Sequence, residues 1–356
     1  MNNGFDNSPH GSGYGFDFYD EIVVTDAKKD FSRVFLALFF FTLASLVYSY
    51  IIGFWVPVIL EPETVERLFS NIYFVAFMST VPMYIIGLPI IIFLVRKIPT
   101  RFKAQGRRMS AGEFIMLIPI CSFFSTVGNF IGNALNGIIS VILDKEIVNS
   151  VDELISRMPI WLILVLVVII APIVEEFIFR KLLLDRLSRY GAVLSIVVTA
   201  LAFGAFHGNF YQFFYTTLVG LVLGYIAYKS GNWLYAVLMH MIFNFLGGVL
   251  PMMIYDHLEV ITSLMEEIEG GATPDLVAVA PSILIASAYL IFNYGLFIIG
   301  AVLVALKVSR REFGIELGDC EVSIPKRRVG STVVLNVGFI LFAIVTAITF
   351  IESILI

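Results

Sequence analysis

Residues 161–180 read WLILVLVVIIAPIVEEFIFR, an apolar run that ends near the adjacent glutamates Glu175 and Glu176. A helix of about 20 apolar residues is long enough to cross the hydrocarbon core of a bilayer, which is roughly 30 Å thick. An ionised carboxylate is costly in hydrocarbon, so it persists there only where it faces protein or water. The stretch therefore predicts a membrane helix whose glutamate pair has a function.

The rest of the chain has the same character. Of its 356 residues, 59% are hydrophobic and 14% are charged, and the mean hydropathy is +0.92. This composition excludes an ordinary soluble globular domain and predicts an all-α fold, a polytopic transmembrane helix bundle of about eight to nine spans. Nine candidate spans lie near residues 33–56, 72–95, 112–142, 159–179, 191–207, 210–229, 233–254, 282–308 and 331–354.

The loops between these spans alternate in charge. Because cytoplasmic loops carry an excess of Lys and Arg, the basic loops predict the cytosolic side and a cytoplasmic N-terminus. The composition has no eukaryotic targeting features, so we favour a bacterial plasma membrane. The basic residues are Arg96, Lys97, Arg101, Lys103, Arg107 and Arg108, then Lys307, Arg310, Arg311, Lys326, Arg327 and Arg328. The acidic residues of the other loops are Glu61, Glu63, Glu66, Asp256, Glu259, Glu266, Glu267, Glu269 and Asp275.

The third candidate span combines small and polar residues. Gly128 and Gly132 have the GxxxG spacing that lets two helices approach closely, and Asn129, Asn133 and Asn136 recur at helical spacing beside them. We expect these residues to serve helix packing rather than a cavity wall.

Three polar patterns recur in the fourth, fifth and seventh spans. Glu176 and Arg180 are four residues apart, so the guanidinium can hold the second carboxylate of the pair in place. Phe203 lies one turn before His207 on the same helix face, and His240 and Asn244 again share one face. The candidate site residues are therefore Glu175, Glu176, Arg180, His207, His240 and Asn244.

Glu175 and His207 are predicted to lie at similar depths in the membrane. Glu175 precedes the predicted turn at Tyr190 by about as many residues as His207 follows it, so the two side chains can meet in a helical hairpin. We expect the site to open to the cytosol. The turn at Gly208 and Asn209 then lies inside the membrane and must be enclosed by protein.

Such a set of side chains is suited to hydrolysis. A carboxylate can take a proton from water, while imidazole and amide groups either bind a divalent metal or donate hydrogen bonds to an oxyanion. The HExxH and GxSxG patterns of common soluble hydrolases are absent from the sequence. Taken singly, each group also fits a packing hydrogen bond or a buried ion pair.

The three patterns resemble the signature of a known family. EEFIFR at 175–180, FGAFH at 203–207 and HMIFN at 240–244 are similar to the EExxxR, FxxxH and HxxxN motifs of the CAAX protease and bacteriocin-processing family of intramembrane endopeptidases. The resemblance covers about residues 110–255 and implies a helical catalytic core in spans three to seven. It implies Glu175 as the base that activates water, supported by Glu176 and Arg180.

The same resemblance implies ligands and partners. His207, His240 and Asn244 would, together with Glu175, bind a divalent metal such as zinc, or the histidines and the amide would stabilise the oxyanion. The substrate would be a peptide or protein, whether lipid-anchored, a leader peptide or a bacteriocin, in contact with membrane lipids and without nucleic acid.

The leading hypothesis is a glutamate- or metal-dependent intramembrane endopeptidase that cleaves near the cytoplasmic membrane face. Two alternatives remain: an ion-coupled transporter in which Glu175 and Glu176 carry the ion, and a non-catalytic immunity or scaffold protein.

The sequence contains only two cysteines, which predicts neither a disulfide nor a cysteine metal site. The predicted parts are a disordered cytoplasmic tail without a cleaved signal peptide (1–32), two spans and a basic loop (33–109), the protease-like core (110–255), and an acidic external loop with the last two spans (256–356).

Overall fold

The computed structural model describes residues 13–100, 109–271, 273, 276–310 and 320–355, with side chains from Tyr19 onwards. These residues fold almost entirely into helices, which confirms the predicted all-α class. The helices are α1 (Gly13–Ile59), α2 (Pro62–Ser70), α3 (Ile72–Val95), α4 (Ala111–Leu143), α5 (Ser150–Ser156), α6 (Ile160–Tyr190), α7 (Ala192–Phe206), α8 (Phe210–Ser230), α9 (Trp233–Met253), α10 (Tyr255–Glu269), α11 (Leu276–Ser309), α12 (Val329–Val334) and α13 (Val337–Leu355).

In the described part of the chain, 8 helices are long and apolar enough to cross a membrane, namely α1, α3, α4, α6, α8, α9, α11 and α13. Helix α7, the fifth candidate span, has 15 residues. At 1.5 Å per residue it reaches only about 22 Å, which is less than the thickness of the hydrocarbon core. The chain is therefore an integral membrane protein, and its described residues include eight long candidate spans and one shorter apolar helix.

The N-terminal segment corrects one prediction. Residues 1–12 lie outside the described residues, but from Gly13 onwards the chain is helical, so the disordered tail predicted for residues 1–32 is wrong from residue 13. Val24, Ala27 and Phe31 recur at helical spacing and are buried. Asp30 accepts a 2.8 Å hydrogen bond from the Tyr190 hydroxyl. These contacts with distant parts of the chain stabilise a helix that a polar composition alone does not predict.

The helix ends form two faces. On the first, Arg186 Nε donates to the Val95 carbonyl at 2.9 Å, and the backbone N–H of Val322 donates to the Arg189 carbonyl at 3.1 Å. We call this the basic face; it comprises the N-terminal part of α1, the ends of α3, α6, α8 and α11, and residues 320–328. The acidic face comprises residues 60–71, 144–159 and 254–271. The predicted loop residues Arg101, Lys103, Arg107, Arg108, Asp275 and Arg311 lie outside the described residues.

Small residues let α4 approach α8 closely, as the GxxxG spacing predicts. Gly128 and Gly132 are buried, and a Cβ atom at Gly132 would lie 2.6 Å from the Phe210 carbonyl oxygen. Any larger residue there would force the helices apart, because protein interiors have no room for an added methyl group at that distance. The two glycines of the third candidate span therefore serve helix packing.

The turn between α7 and α8 lies within the bundle, and its polar groups are satisfied by the protein. Gly208 has φ +68°, and a Cβ atom there would lie 3.0 Å from the side chain of Thr349 of α13. Asn209 accepts a hydrogen bond from the Gln212 N–H at 2.9 Å, and its own amide donates to the His207 carbonyl at 2.9 Å. This N-cap removes the cost of placing a turn at membrane depth.

Candidate intramembrane active site

The glutamate pair lies in the middle of α6, between two π-helical segments, Leu164–Ile170 and Phe177–Leu184. Such wider turns often occur at functional sites. Pro172 contributes by removing one backbone donor from the helix. Glu176 is fully buried, whereas the side chain of Glu175 keeps 13% of its surface exposed. Adjacent residues thus meet different surroundings, because they point in directions about 100° apart on the helix.

Glu176 forms a buried ion pair with Arg180, as the spacing predicts. Arg180 Nη1 donates to Glu176 Oε1 at 3.1 Å, and both side chains are 0% exposed. Arg180 Nη2 donates to the Gly220 carbonyl of α8 at 3.1 Å. The guanidinium carbon also lies 4.7 Å from the centre of the Phe203 ring. The pair is therefore held on three sides and ties α6 to α7 and α8.

His240 of α9 lies against both glutamates. Its Nδ1 is 2.9 Å from Glu176 Oε1, and its Nε2 is 3.8 Å from Glu175 Oε2. A carboxylate oxygen accepts hydrogen bonds, so Nδ1 carries the proton. In the neutral imidazole the lone pair is then on Nε2, on the side of Glu175.

His207, at the end of α7, is held in the same tautomer. Its Nδ1 lies 2.8 Å from the Phe203 carbonyl oxygen, which can only accept, so Nδ1 carries the proton and Nε2 the lone pair. The Phe203 ring packs edge-on against His207 at 4.9 Å and against His240 at 5.9 Å between ring centres. The predicted contact between Phe203 and His207 is present, and the same ring also supports the second imidazole.

Asn244 is fixed by a backbone contact. Its Nδ2 donates to the Val167 carbonyl of α6 at 2.9 Å, and a π-helical turn, Phe245–Val249, follows directly. The amide retains a second N–H and its oxygen for other partners.

A cavity of about 540 Å³ brings four of the six candidate residues together: Glu175, His207, His240 and Asn244. Glu176 and Arg180 lie behind the cavity wall. The other polar side chains that line the cavity include Tyr84, Asn129, Asn133, Asp152, Tyr211, Gln212 and Tyr215. Asn129 and Asn133 are thus cavity-wall residues, contrary to the expectation that they serve packing alone.

The segment that carries the site is similar to a known family. Residues 157–246 match a family model described as Rce1-like, type II CAAX prenyl endopeptidase. This part of the chain, about a quarter of its length, is similar to the Rce1-like family. The Rce1-like segment contains all three motifs and all six candidate residues, so the family resemblance is confirmed.

A curated protein is similar to about half of this chain. An uncharacterised protein of Mycoplasma capricolum subsp. capricolum is 30% identical over 176 residues, which cover 45% of this chain and 52% of the relative. The chain thus spans about half the length of that curated relative. No solved structure matches it.

The candidate residues of the Rce1-like segment are of the kinds that bind metal ions, but their side chains lie far apart. Two imidazole Nε2 atoms and a carboxylate are ordinary zinc ligands, and Glu176 would orient His240 as carboxylates commonly do behind such ligands. Across the described residues, however, no three His, Cys, Asp or Glu side chains converge closely enough to hold a metal. A metal bound by Glu175, His207, His240 and Asn244 therefore stays a prediction.

Sequence reasoning missed several groups that position the Rce1-like site. The carbonyls of Gly220, Val167 and Phe203 hold Arg180, Asn244 and His207, and a backbone acceptor has no signature in the sequence. Tyr211, Gln212 and Tyr215, by contrast, form a polar cluster at the start of an apolar helix. That contrast in polarity was a signal that could have indicated them.

Proposed function

We propose that the protein is an intramembrane endopeptidase in which Glu175 activates water for attack on a peptide bond. The proposal rests on the different surroundings of the two glutamates. Glu175 lines the cavity, whereas Glu176 is hydrogen-bonded to Arg180 and His240. Glu175 is therefore the carboxylate of the pair that can meet a substrate. The match of residues 157–246 to a family described as endopeptidases supports the same reaction class.

The surrounding groups would share the remaining tasks. The attacking water would donate hydrogen bonds to Glu175 and to the Nε2 lone pair of His207 or His240. As the water oxygen forms a bond to the scissile carbonyl carbon, Glu175 takes its proton and the carbonyl oxygen becomes an oxyanion. The free N–H of Asn244 can donate to that oxyanion. Glu175 then passes the proton to the leaving nitrogen as the C–N bond breaks.

A divalent metal such as zinc would be a further part of this proposal. Glu175, His207, His240 and Asn244 are the residues that would hold it. When bound, such an ion lowers the pKa of a coordinated water and polarises a carbonyl. The roles of Glu176, as the partner that orients His240, and of Arg180, as its counter-ion, are the same with or without the ion.

The test compares Glu175→Gln with Glu259→Gln, which removes an exposed carboxylate on α10. Membranes that contain each variant are incubated, and released peptides are identified by mass spectrometry of their new termini. We expect the wild type and Glu259→Gln to release the same peptides and Glu175→Gln to release none, with equal amounts of folded protein. Full release by Glu175→Gln would reject Glu175 as the base.

Transport and a non-catalytic role are the alternatives. Toward the basic face Ile178, Phe179 and Leu183 are 0% exposed and close the bundle. An alternating-access transporter would have to open this layer in a second conformation. Substrate flux in proteoliposomes without proteolysis would favour transport. Protection against a bacteriocin that survives replacement of both His207 and His240 would favour an immunity protein.

A further inference from the structure

The cavity lies on one side of the candidate catalytic residues. Its wall includes Asn149, Asp152 and Met158 from the segment around α5, Thr80 from the first half of α3, and Gly248 from the last part of α9. All these positions lie toward the acidic face. The cavity therefore extends from Glu175 toward the acidic face.

The opposite direction is closed by packed side chains. Beyond Glu176 along α6, Ile178, Phe179, Leu183, Leu184 and Leu187 are all 0% exposed. They pack within two large hydrophobic clusters together with residues of α1, α7 and α8. A peptide cannot pass this layer without opening the core.

The two faces differ strongly in basic residues. In the described residues, the acidic-face segments carry only Arg67, Lys145 and Arg157. The basic face carries Lys28, Lys29, Arg33, Arg96, Lys97, Lys181, Arg186, Arg189, Lys229, Lys307, Arg310, Lys326, Arg327 and Arg328. Since Lys and Arg accumulate on the cytoplasmic side of membrane proteins, the basic face is the cytosolic one.

From these observations we infer that substrate reaches Glu175 from the extracytoplasmic side of the membrane. The inference rests on the proposed peptidase function, and it replaces the sequence-based expectation of a site open to the cytosol. The substrate class that fits is an exported peptide or the outer half of a membrane-spanning segment. The C-terminus of a cytosolic protein would meet the closed side of the bundle.

The orientation can be tested with a cysteine that the chain already has. Cys320 is exposed and lies on the basic face, 3.7 Å from the position of a Cβ on Gly191, whereas Cys121 is buried. Intact cells are treated with a membrane-impermeant maleimide. We expect Cys320 to react only after permeabilisation, and Asp152→Cys in a Cys320→Ser background to react in intact cells. Reaction of Cys320 in intact cells would overturn the inference.

Access to the cavity itself needs a second reporter. Asn133 lines the cavity, so Asn133→Cys in the Cys320→Ser background is treated with a cationic methanethiosulfonate in right-side-out and in inside-out vesicles. We expect modification in right-side-out vesicles only; modification in inside-out vesicles only would show the cavity opening to the cytosol. Labelling needs no turnover, so the same experiment in a Glu175→Gln background separates failure of this inference from failure of the peptidase proposal.

Discussion

The imidazole of His240 lies between the two glutamates of the doublet, with Nδ1 2.9 Å from Glu176 Oε1 and Nε2 3.8 Å from Glu175 Oε2. One ring nitrogen thus contacts the buried carboxylate and the other faces the carboxylate of the cavity. Because Glu176 is also paired with Arg180, it cannot leave His240 without exposing a buried charge. The arrangement fixes the tautomer and the orientation of His240 before any substrate binds.

We predict that Glu176→Gln destabilises the fold more than Glu175→Gln does. The first change leaves the Arg180 guanidinium buried without a counter-ion, a loss of about 3–5 kcal/mol for a broken buried pair. Thermal unfolding in detergent measures it. The double variant Glu176→Gln with Arg180→Met should recover part of the loss, because the unpaired charge is removed. Equal melting temperatures for all three variants would contradict the importance of the pair.

Phe203 should act as a positioning residue. Its ring contacts His207, His240 and Arg180, so Phe203→Leu should lower kcat by up to about 10²-fold through displaced imidazoles, with a smaller change in KM. Phe179→Leu is the matched control, since Phe179 is equally buried and packs against Phe203 but not against either histidine. We expect both variants to lower the melting temperature by similar amounts, and only Phe203→Leu to lower kcat. An equal kcat in both would assign Phe203 a purely structural role.

Metal content tests the predicted ligand set without reference to activity. We expect purified wild-type protein to retain zinc or another divalent ion through dialysis, and His207→Ala with His240→Ala to lose it, as measured by mass spectrometry of the elements. Glu259→Gln should retain the ion. Full peptide release by a preparation without divalent metal would show that Glu175 acts without one.

The charge of the cavity predicts a substrate preference. Among the described lining residues, Glu175 and Asp152 are acidic and none is Lys or Arg. Peptides with Lys near the scissile bond should therefore be cleaved at higher kcat/KM than matched peptides with Glu, more so at low salt. Asp152→Asn should reduce the difference, and an unchanged ratio would remove Asp152 from substrate recognition.

The same preference should depend on pH. Desolvation raises the pKa of Asp152 above its ordinary value, and the hydrogen bond from Asn149 opposes the shift. A carboxyl group is charged above its pKa, so the effect of Asp152 on the Lys preference should be complete near neutral pH. It should disappear as the pH falls through the raised pKa, which is at a higher pH than for an ordinary aspartate. The Lys-to-Glu ratio of kcat/KM, measured against pH in wild type and Asp152→Asn, checks this. Parallel profiles would contradict it.

Local spacing explains which parts of the site were predictable. The Glu176–Arg180 pair and the shared face of His240 and Asn244 follow from four-residue spacing on a helix, and the spans follow from runs of apolar residues. The helix at residues 13–32 was missed because distant contacts such as Asp30 with Tyr190 stabilise it.

The amino-acid sequence by itself determined that this protein is a bundle of membrane helices carrying a carboxylate doublet, two histidines and an amide, because hydrophobic runs and helical periodicity are local properties. Only the tertiary structure decided which glutamate faces the cavity, which nitrogen of each histidine carries the proton, and toward which face the cavity extends. Those features depend on backbone carbonyls and packed side chains from segments far apart in the chain, such as Val167 with Asn244 and Gly220 with Arg180. Such contacts exist only once the helices have packed together.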